Sequence, residues 1–227
     1  MRIVISRCLE GAKTADGITV VIDVFRASNT ILACLAGGAE YIIPVGEIKE
    51  AYCLKKENQD YLLFGERGGI PPKGFDHDNS PVKAVNLDLN GKKIILTTSA
   101  GSQGIVYSKN ADEILIGSFA NARAIVNYLK EKNPRKISLL AIGNQAIEPA
   151  TEDEECARYL KSQLEGSSIE MNKMKEEILK SDGANRLRRL GQEDDLEFCL
   201  KLNTYEIIPK FERKIGKIMD CNNLIKS

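Results

Sequence analysis

The sequence ITVVIDVFRASNT, residues 18–30, carries the strongest indication of fold class in this chain. Its opening run ITVVI is β-branched, with no alternation of polar and apolar side chains, which predicts a strand buried on both faces. Asp23 stands where this strand should end, and Arg26 follows it closely. The polar run at residues 28–30 offers N-cap side chains to the apolar segment at residues 31–36, where we expect a helix. Ligands of open α/β sheets bind just outside the carboxyl ends of strands, so this junction is a candidate anion and metal site.

Strand-like and helix-like segments alternate outward from this stretch. Strands are predicted at residues 3–5, 18–22, 41–45, 61–64, 94–97, 113–116 and 137–142. Helices are predicted at residues 31–36, 47–57, 121–132 and 152–164, with another that starts within 97–102 and ends near 108. Parallel strands need long crossover connections, usually helices, so the pattern predicts a mostly parallel sheet covered on both faces. We expect a short loop at residues 11–17 and a long one at residues 65–81, a length typical of functional loops.

The sequence changes character after Gly166 and becomes more charged. Helical patterns are predicted at residues 173–180, 184–190 and 194–202, and a last strand at residues 205–208. We interpret this tail as one or two helices packed on the sheet. The chain is therefore predicted to form a single α/β domain over residues 1–227, with a helical C-terminal segment at about 167–227.

Composition favours a globular protein without a polyanionic partner. The chain has 227 residues, of which 43% are hydrophobic and 28% are charged. Its 32 basic and 32 acidic residues give a formal net charge of zero. A balanced charge provides no field for nucleic acid or an anionic membrane surface, so we expect neither as a partner.

The six cysteines are widely scattered and include no Cys-x-x-Cys pair. This spacing argues against a zinc site and against a disulfide framework. The N-terminus lacks the apolar core of a signal peptide, and no segment is long enough to span a membrane. A reducing cytoplasm is the expected location.

Two further segments are candidates for anion binding. The sequence GERGG at residues 65–69 follows a predicted strand, so its backbone N–H groups can approach an anion while Arg67 adds charge. The sequence TTSAGS at residues 97–102 places hydroxyls and backbone donors at a strand-to-helix junction. The alternatives are an ordinary glycine turn and an ordinary helix cap. The repetition of such junctions at one end of successive strands favours a site.

The acidic residues allow several roles. Asp23 can bind a hard cation such as Mg²⁺ or attack phosphorus as a nucleophile, and Arg26 can bind phosphate, but an internal Asp–Arg ion pair explains both equally well. Asp153 is placed to reach a metal, whereas the other acids at 152–155 are expected to be solvated. His77, the only histidine, is expected to be a solvated loop residue, and Cys156 a packing residue.

Taken in order, these motifs resemble the Mg²⁺-dependent 2-phosphosulfolactate phosphatases over roughly residues 18–164. The matching motifs are DVFRAS with Thr30, GERGG at 65–69, GFD at 74–76, NSP at 79–81, TT at 97–98 with Gly101, GSF at 117–119 with Asn121-Ala122, and Glu152-Asp153 with Cys156-Ala157. The resemblance implies a three-layer α/β/α fold with a mostly parallel (mixed) central sheet. It also implies hydrolysis of (R)-2-phospho-3-sulfolactate to 3-sulfolactate and phosphate, a step associated with coenzyme M synthesis.

The resemblance implies roles for individual residues. Mg²⁺ is expected at Asp23 together with Glu66 or Asp153, and Asp23 and Arg26 are the expected catalytic residues. Substrate binding is expected at Ser28, Thr30, Arg67, Gly68, Gly69, Thr97, Thr98, Ser99 and Gly101. The expected partners are a small anionic phosphorylated substrate and, as an option, a second copy of the chain in a homodimer. Two alternatives remain: a phosphatase for another small phosphorylated hydroxy acid, and a non-catalytic anion-binding protein of the same fold.

Overall fold

A computed structural model describes residues 1–221, which contain one continuous mixed sheet. The strands in this part of the chain are β1 (Arg2–Arg7), β2 (Gly17–Ile22), β3 (Tyr41–Pro44), β4 (Leu62–Gly65), β5 (Lys93–Thr97), β6 (Ala111–Gly117), β7 (Lys136–Ala141), β8 (Pro209–Glu212) and β9 (Lys217–Asp220). The helices there are α1 (Cys8–Thr14), α2 (Ala27–Ala36), α3 (Ile48–Glu57), α4 (Pro81–Ala84), α5 (Gly101–Tyr107), α6 (Ala122–Lys132), α7 (Thr151–Glu165), α8 (Met171–Leu179), α9 (Asp182–Arg189) and α10 (Glu193–Cys199). A 3₁₀ turn at Phe119–Asn121 precedes α6.

The strand order β1-β7-β2-β6-β8-β9-β3-β5-β4 divides the sheet into two parallel parts. Strands β1, β7, β2 and β6 pair in parallel, as do β3, β5 and β4. The antiparallel hairpin of β8 and β9 joins the two parts, since β8 pairs with β6 and β9 pairs with β3. The predicted mostly parallel mixed sheet is therefore confirmed.

Helices cover both faces of this sheet and complete the predicted three-layer α/β/α architecture. Alternate residues of β2 point to different cores: Val20 and Ile22 belong to the core beneath α6–α10, and Val21 to the core beneath α1, α2, α4 and α5. Helix α3 covers β3, β5 and β4 through a smaller cluster around Ala51. Burial on both faces explains why β2 has an unbroken apolar sequence. Within residues 1–221, no helix combines the length and the apolar character that crossing a membrane requires.

Two predictions near the N-terminus are corrected. Residues 11–17 were expected to form a loop, but helix α1 extends to Thr14 because Ala12 is fully buried against the sheet and Gly11 allows close packing on Ser6. Residues 28–30 were expected to cap a helix beginning at residue 31, but α2 begins at Ala27. Their polar side chains lie inside the first turns of the helix.

The predicted C-terminal segment also differs from expectation. Its helical part forms three short helices, α8–α10, in place of one or two. The strand predicted at residues 205–208 is absent from the described structure, because the backbone N–H of Tyr205 donates to the carbonyl of Ala120 and not to a strand. The chain instead forms β8 and β9, whose Phe211 and Ile218 pair within the sheet. Residues 222–227 of the predicted segment lie outside the described residues.

Candidate active site

A small cleft, partly open to solvent, lies at the carboxyl edge of the sheet. The segments that follow β2, β4, β5 and β7 meet there, together with α9. Parallel strands bring their carboxyl ends to one edge, which explains how residues distant in sequence share this cleft. The lining residues are Asp23, Phe25, Arg26, Glu66, Gly68, Gly69, Asn79, Ser99, Ala100, Gly143, Asn144, Gln145, Glu152, Asp153, Arg186, Leu187 and Leu190.

The predicted site residues fall into two groups. Those that line the cleft are Asp23, Arg26, Glu66, Gly68, Gly69, Ser99 and Asp153. Those that lie behind its surface are Ser28, Thr30, Arg67, Thr97, Thr98 and Gly101. The second group contacts the first through hydrogen bonds or close packing, so it supports the geometry of the cleft from outside.

Asp23 occupies the tip of β2 and is almost completely buried. Its Oδ1 accepts a hydrogen bond of 3.2 Å from the backbone N–H of Ala27, in the first turn of α2. The hydroxyl of Ser28 accepts a 3.0 Å bond from the backbone N–H of Asp23. A Cβ atom at Gly101 would lie 2.8 Å from Asp23 Oδ2, so only glycine allows α5 to approach this closely. Ala27 therefore holds the Asp23 carboxylate, Ser28 holds the backbone that carries it, and Gly101 leaves the space that it occupies.

Asp153 lies in the first turn of α7 and binds the segments that follow two strands. Its Oδ1 accepts a 2.8 Å hydrogen bond from the backbone N–H of Val24, and its Oδ2 accepts a 2.9 Å bond from the backbone N–H of Gly143. Val24 follows β2, and Gly143 follows β7. The carboxylate thus fixes the positions of both strand ends.

The Glu66 carboxylate accepts hydrogen bonds from backbone N–H groups of the two segments that were expected to bind an anion. Its Oε2 accepts a 2.7 Å bond from the backbone N–H of Gly69, and its Oε1 accepts a 2.7 Å bond from that of Ser99. The Ser99 hydroxyl donates a further bond of 3.2 Å to Oε2. The glycine loop after β4 therefore surrounds a carboxylate of the chain itself, and this carboxylate lines the cleft.

Arg26 forms an ion pair, but its partner is not Asp23. Its Nη1 donates to Oδ2 of Asp195 at 2.9 Å, and both side chains are buried. Its Nη2 donates to the carbonyl of Gly69 at 3.4 Å. Arg26 still lines the cleft. The local Asp–Arg pair considered from the sequence is thus replaced by a pair between the residue that precedes α2 and a residue of α10.

Arg67 points away from the cleft lining and binds the loop behind it. Its guanidinium donates to the carbonyl of Glu66 at 2.7 Å, to that of Gly46 at 3.0 Å and to the hydroxyl of Thr97 at 2.8 Å. Thr98 and Ser102 exchange hydrogen bonds between side chain and backbone at the start of α5. Arg67, Thr97 and Thr98 lie at the same sheet edge as the cleft, but their polar groups are engaged by the chain itself.

Thr30 acts on the cleft through the long loop after β4. Its hydroxyl donates a 3.1 Å bond to the carbonyl of Asn79, which lines the cleft. His77, in the same loop, is half-buried and not fully solvated as expected, because its ring stacks on Phe64 with 4.6 Å between centroids. It does not line the cleft. Cys156 is fully buried, which confirms its packing role.

Sequence reasoning missed Glu152 and Arg186. Glu152 was expected to be solvated, but it is buried and lines the cleft beside Gly183, where a Cβ atom would lie 2.3 Å from its Oε1. Arg186, in α9, donates hydrogen bonds to the side chain of Asn144 and, at 3.5 Å, to the carbonyl of Phe25. Neither residue carried a local motif, and only the Glu152-Asp153 pair of the resemblance pointed to this region.

Burial and mutual repulsion raise the pKa values of three carboxyl groups in the cleft, Asp23, Glu152 and Asp153. Burial raises the pKa of Asp23 to about 6, helped by the charge of Glu66 and opposed by the N–H groups of Ala27 and Gly101 and by Arg186. Burial raises the pKa of Asp153 well above its usual range, and the charges of Asp23 and Glu152 raise it further. The pKa of Glu152 is also raised, mainly by burial. Several buried carboxylates close together create a strongly negative local field.

The oxygen donors of this cluster fit a hydrated magnesium ion and not a complete protein cage. Within residues 1–221, no three Asp, Glu, His or Cys side chains form a set that could hold a metal unaided. Mg²⁺ commonly binds one or two carboxylates and keeps water and substrate oxygens as its other ligands. Asp23 Oδ1, both carboxylate oxygens of Asp153 and Oε1 of Glu66 each accept one of these hydrogen bonds and retain a further lone pair, whereas Glu66 Oε2 already accepts two. A divalent cation would also relieve the repulsion that raises the pKa values of Asp23 and Asp153.

Comparison with known proteins identifies the family. The family model for 2-phosphosulpholactate phosphatase matches residues 4–214. A protein of Carboxydothermus hydrogenoformans named probable 2-phosphosulfolactate phosphatase is 37% identical, and the match covers 90% of each chain. A Thermoplasma volcanium protein of the same name is 34% identical, over 94% of this chain and 98% of its own. One from Thermotoga petrophila is 37% identical, over 84% and 87%. This chain therefore belongs to the 2-phosphosulfolactate phosphatase family, a family of phosphoric monoester hydrolases.

Proposed function

We propose that this protein hydrolyses the phosphate monoester of (R)-2-phospho-3-sulfolactate to 3-sulfolactate and phosphate, with Mg²⁺ as its cofactor. The observation that carries the proposal is the convergence of Asp23, Glu66, Asp153 and Arg26 on one cleft at the carboxyl edge of the sheet. The names of its relatives supply the substrate. Coenzyme M synthesis, a cytoplasmic location and a homodimer belong to the same proposal.

The cleft residues have separable roles in this reaction. Asp23, together with Glu66 or Asp153, would hold Mg²⁺, with water and substrate oxygens as its other ligands. The ion when bound neutralises negative charge on the phosphoryl group. Arg26 has five N–H donors, of which one binds Asp195 and one binds the Gly69 carbonyl, so three remain for phosphate oxygens. Donors fixed before the reaction are usually the largest source of transition-state stabilisation.

Asp23 has two alternative roles. As a nucleophile it would attack phosphorus and break the ester P–O bond, so that 3-sulfolactate leaves with a proton from water and an aspartyl phosphate remains, which water then hydrolyses. As a metal ligand it would leave the attack to water. The hydrogen bonds from Ala27 and the packing of Gly101 hold its carboxylate in one orientation, which suits either role.

The test is phosphate release by the purified protein. We expect hydrolysis of 2-phosphosulfolactate that stops when EDTA removes divalent cations and returns when Mg²⁺ is added. Phospholactate and phosphoglycolate should be poorer substrates. A preference for either of these would assign another phosphorylated hydroxy acid as substrate. Ligand-induced thermal stabilisation without any turnover would favour the non-catalytic alternative and contradict the proposal.

A further inference from the structure

Asp195 is a buried acid that does not itself line the cleft, yet it binds a residue that does. It lies in α10, with 2% of its surface exposed. Its Oδ2 accepts the 2.9 Å hydrogen bond from Arg26 Nη1. Sequence reasoning assigned it no role, because it belongs to a charged helix without a recognisable motif.

The other oxygen of Asp195 is fixed independently of Arg26. Oδ1 accepts a 2.7 Å hydrogen bond from the hydroxyl of Ser80 and a 3.3 Å bond from the backbone N–H of Val82. Ser80 is itself the N-cap of α4. The loop and helix that follow β4 therefore hold the Asp195 carboxylate through contacts that do not involve the Arg26 guanidinium.

Arg26 needs such a restraint because of its surroundings. Four carboxyl groups line the same cleft: Asp23, Glu66, Glu152 and Asp153. A guanidinium without a fixed partner would be drawn to one of these acids, where it would displace a cation and turn its donors away from a phosphate. Asp195 offers a competing carboxylate on the side away from the cleft lining.

We propose that Asp195 is a positioning residue for Arg26: it holds the guanidinium so that the remaining N–H donors face the phosphoryl group. This inference rests on the proposed function. Buried ion pairs contribute little net stability compared with apolar packing of the same volume, so stability alone does not account for a pair at this place. The pair orients a side chain whose other donors serve the ligand.

The direct test compares Asp195→Asn with Asp194→Asn. The two residues are adjacent in α10, but Asp194 is exposed, so it is a matched control for charge and helix position. Asp195→Asn should lower kcat/KM for 2-phosphosulfolactate roughly tenfold or more, with a higher KM as well as a lower kcat, whereas Asp194→Asn should stay within about twofold. Equal kcat/KM values for the two folded variants would overturn the proposal.

A double-mutant cycle separates positioning from a structural role. In an Arg26→Gln background there is no guanidinium to orient, so adding Asp195→Asn should change kcat/KM by less than about twofold. Full additivity of the two effects would overturn the proposal. If Asp195→Asn does not fold, Asp195→Glu replaces it, since it keeps the charge but displaces the carboxylate by one methylene. A folded Asp195→Glu enzyme with unchanged kcat/KM would equally overturn it.

Binding of inorganic phosphate keeps this test independent of turnover. Calorimetry in the presence of Mg²⁺ should show phosphate binding that Asp195→Asn weakens roughly tenfold and Asp194→Asn leaves unchanged. A wild-type protein that binds phosphate but releases none from the substrate would contradict the proposed function alone. Equal phosphate affinity in wild type and Asp195→Asn would contradict the positioning role alone.

Discussion

The carboxylate of Asp153 accepts a 2.8 Å hydrogen bond from the backbone N–H of Val24, the residue that follows Asp23. The same carboxylate accepts a 2.9 Å bond from the N–H of Gly143. A side chain at the start of α7 thus fixes the backbone on which the predicted nucleophile or metal ligand stands. The geometry of the site therefore depends on contacts between segments that follow different strands of the sheet.

We therefore expect Asp153→Ala to lower both stability and activity. Two buried N–H groups lose their acceptor, which should cost about 1–3 kcal/mol of unfolding free energy in a urea titration. Glu154→Ala is the control, because Glu154 forms only a surface ion pair with Arg7. The same loss of stability in both variants would contradict the anchoring role of Asp153.

Asp23→Asn should remove activity while the protein remains folded. Because the variant removes the carboxylate that we expect to act as nucleophile or metal ligand, phosphate release should fall roughly 10²–10³-fold. Circular dichroism would check the fold. Near-wild-type turnover in a folded variant would remove Asp23 from the catalytic set.

The raised pKa of Asp23 predicts how the unfolding free energy of the metal-free protein depends on pH. Its pKa is about 6 in the folded state against 3.8 for the unconstrained group, so the folded protein binds the proton more tightly. Unfolding free energy should therefore rise as pH falls from about 6 towards 4 in EDTA. Asp23→Asn should reduce this slope by up to about 1.4 kcal/mol per pH unit. Identical slopes in wild type and variant would show that Asp23 titrates normally.

Gly101→Ala should damage the site through contact with Asp23. The new Cβ atom would lie 2.6 Å from the Cβ of Ala27 and 2.8 Å from Asp23 Oδ2, so α5 or the carboxylate must shift. We expect kcat/KM to fall by roughly 10² or more, since small displacements of reacting groups have effects of this size. Gly46→Ala is the control, because its Cβ would meet only the flexible Gln103 side chain, at 3.4 Å. Wild-type kinetics for Gly101→Ala would exclude the close approach.

Arg67→Ala should act mainly on stability and on the position of Glu66. Its guanidinium donates to the carbonyls of Glu66 and Gly46 and to Thr97, and its loss should lower unfolding free energy by about 1–3 kcal/mol. Denaturant unfolding measures this loss, and kinetics should show reduced kcat/KM. A variant of unchanged stability with weakened substrate binding would place Arg67 directly on the substrate instead.

The sequence was sufficient for most of the sheet and for part of the site. Strands such as β2 were predictable because burial on both faces leaves an unbroken β-branched run, and Asp23 drew attention because it follows that strand. Glu66 was named only through the family resemblance. The hairpin of β8 and β9 was not, since its short strands mix charged and apolar residues.

Residues contributed by the C-terminal helices could not be found from local patterns. Arg186 and Asp195 lie in charged helices, where an arginine or an aspartate is ordinarily solvated. Only the folded chain shows that Arg186 lines the cleft and that Asp195 pairs with Arg26. Tertiary contacts across such sequence separations leave no signal in composition or periodicity.

The most direct test of the central claim is a crystal structure with Mn²⁺ in place of Mg²⁺ and with phosphate bound. Anomalous scattering would locate the ion without ambiguity. We predict a peak in the cleft, bound by at least one carboxylate of Asp23, Glu66 and Asp153, with phosphate between the ion and Arg26. A peak outside this cleft, or phosphate bound elsewhere on the protein, would contradict the account.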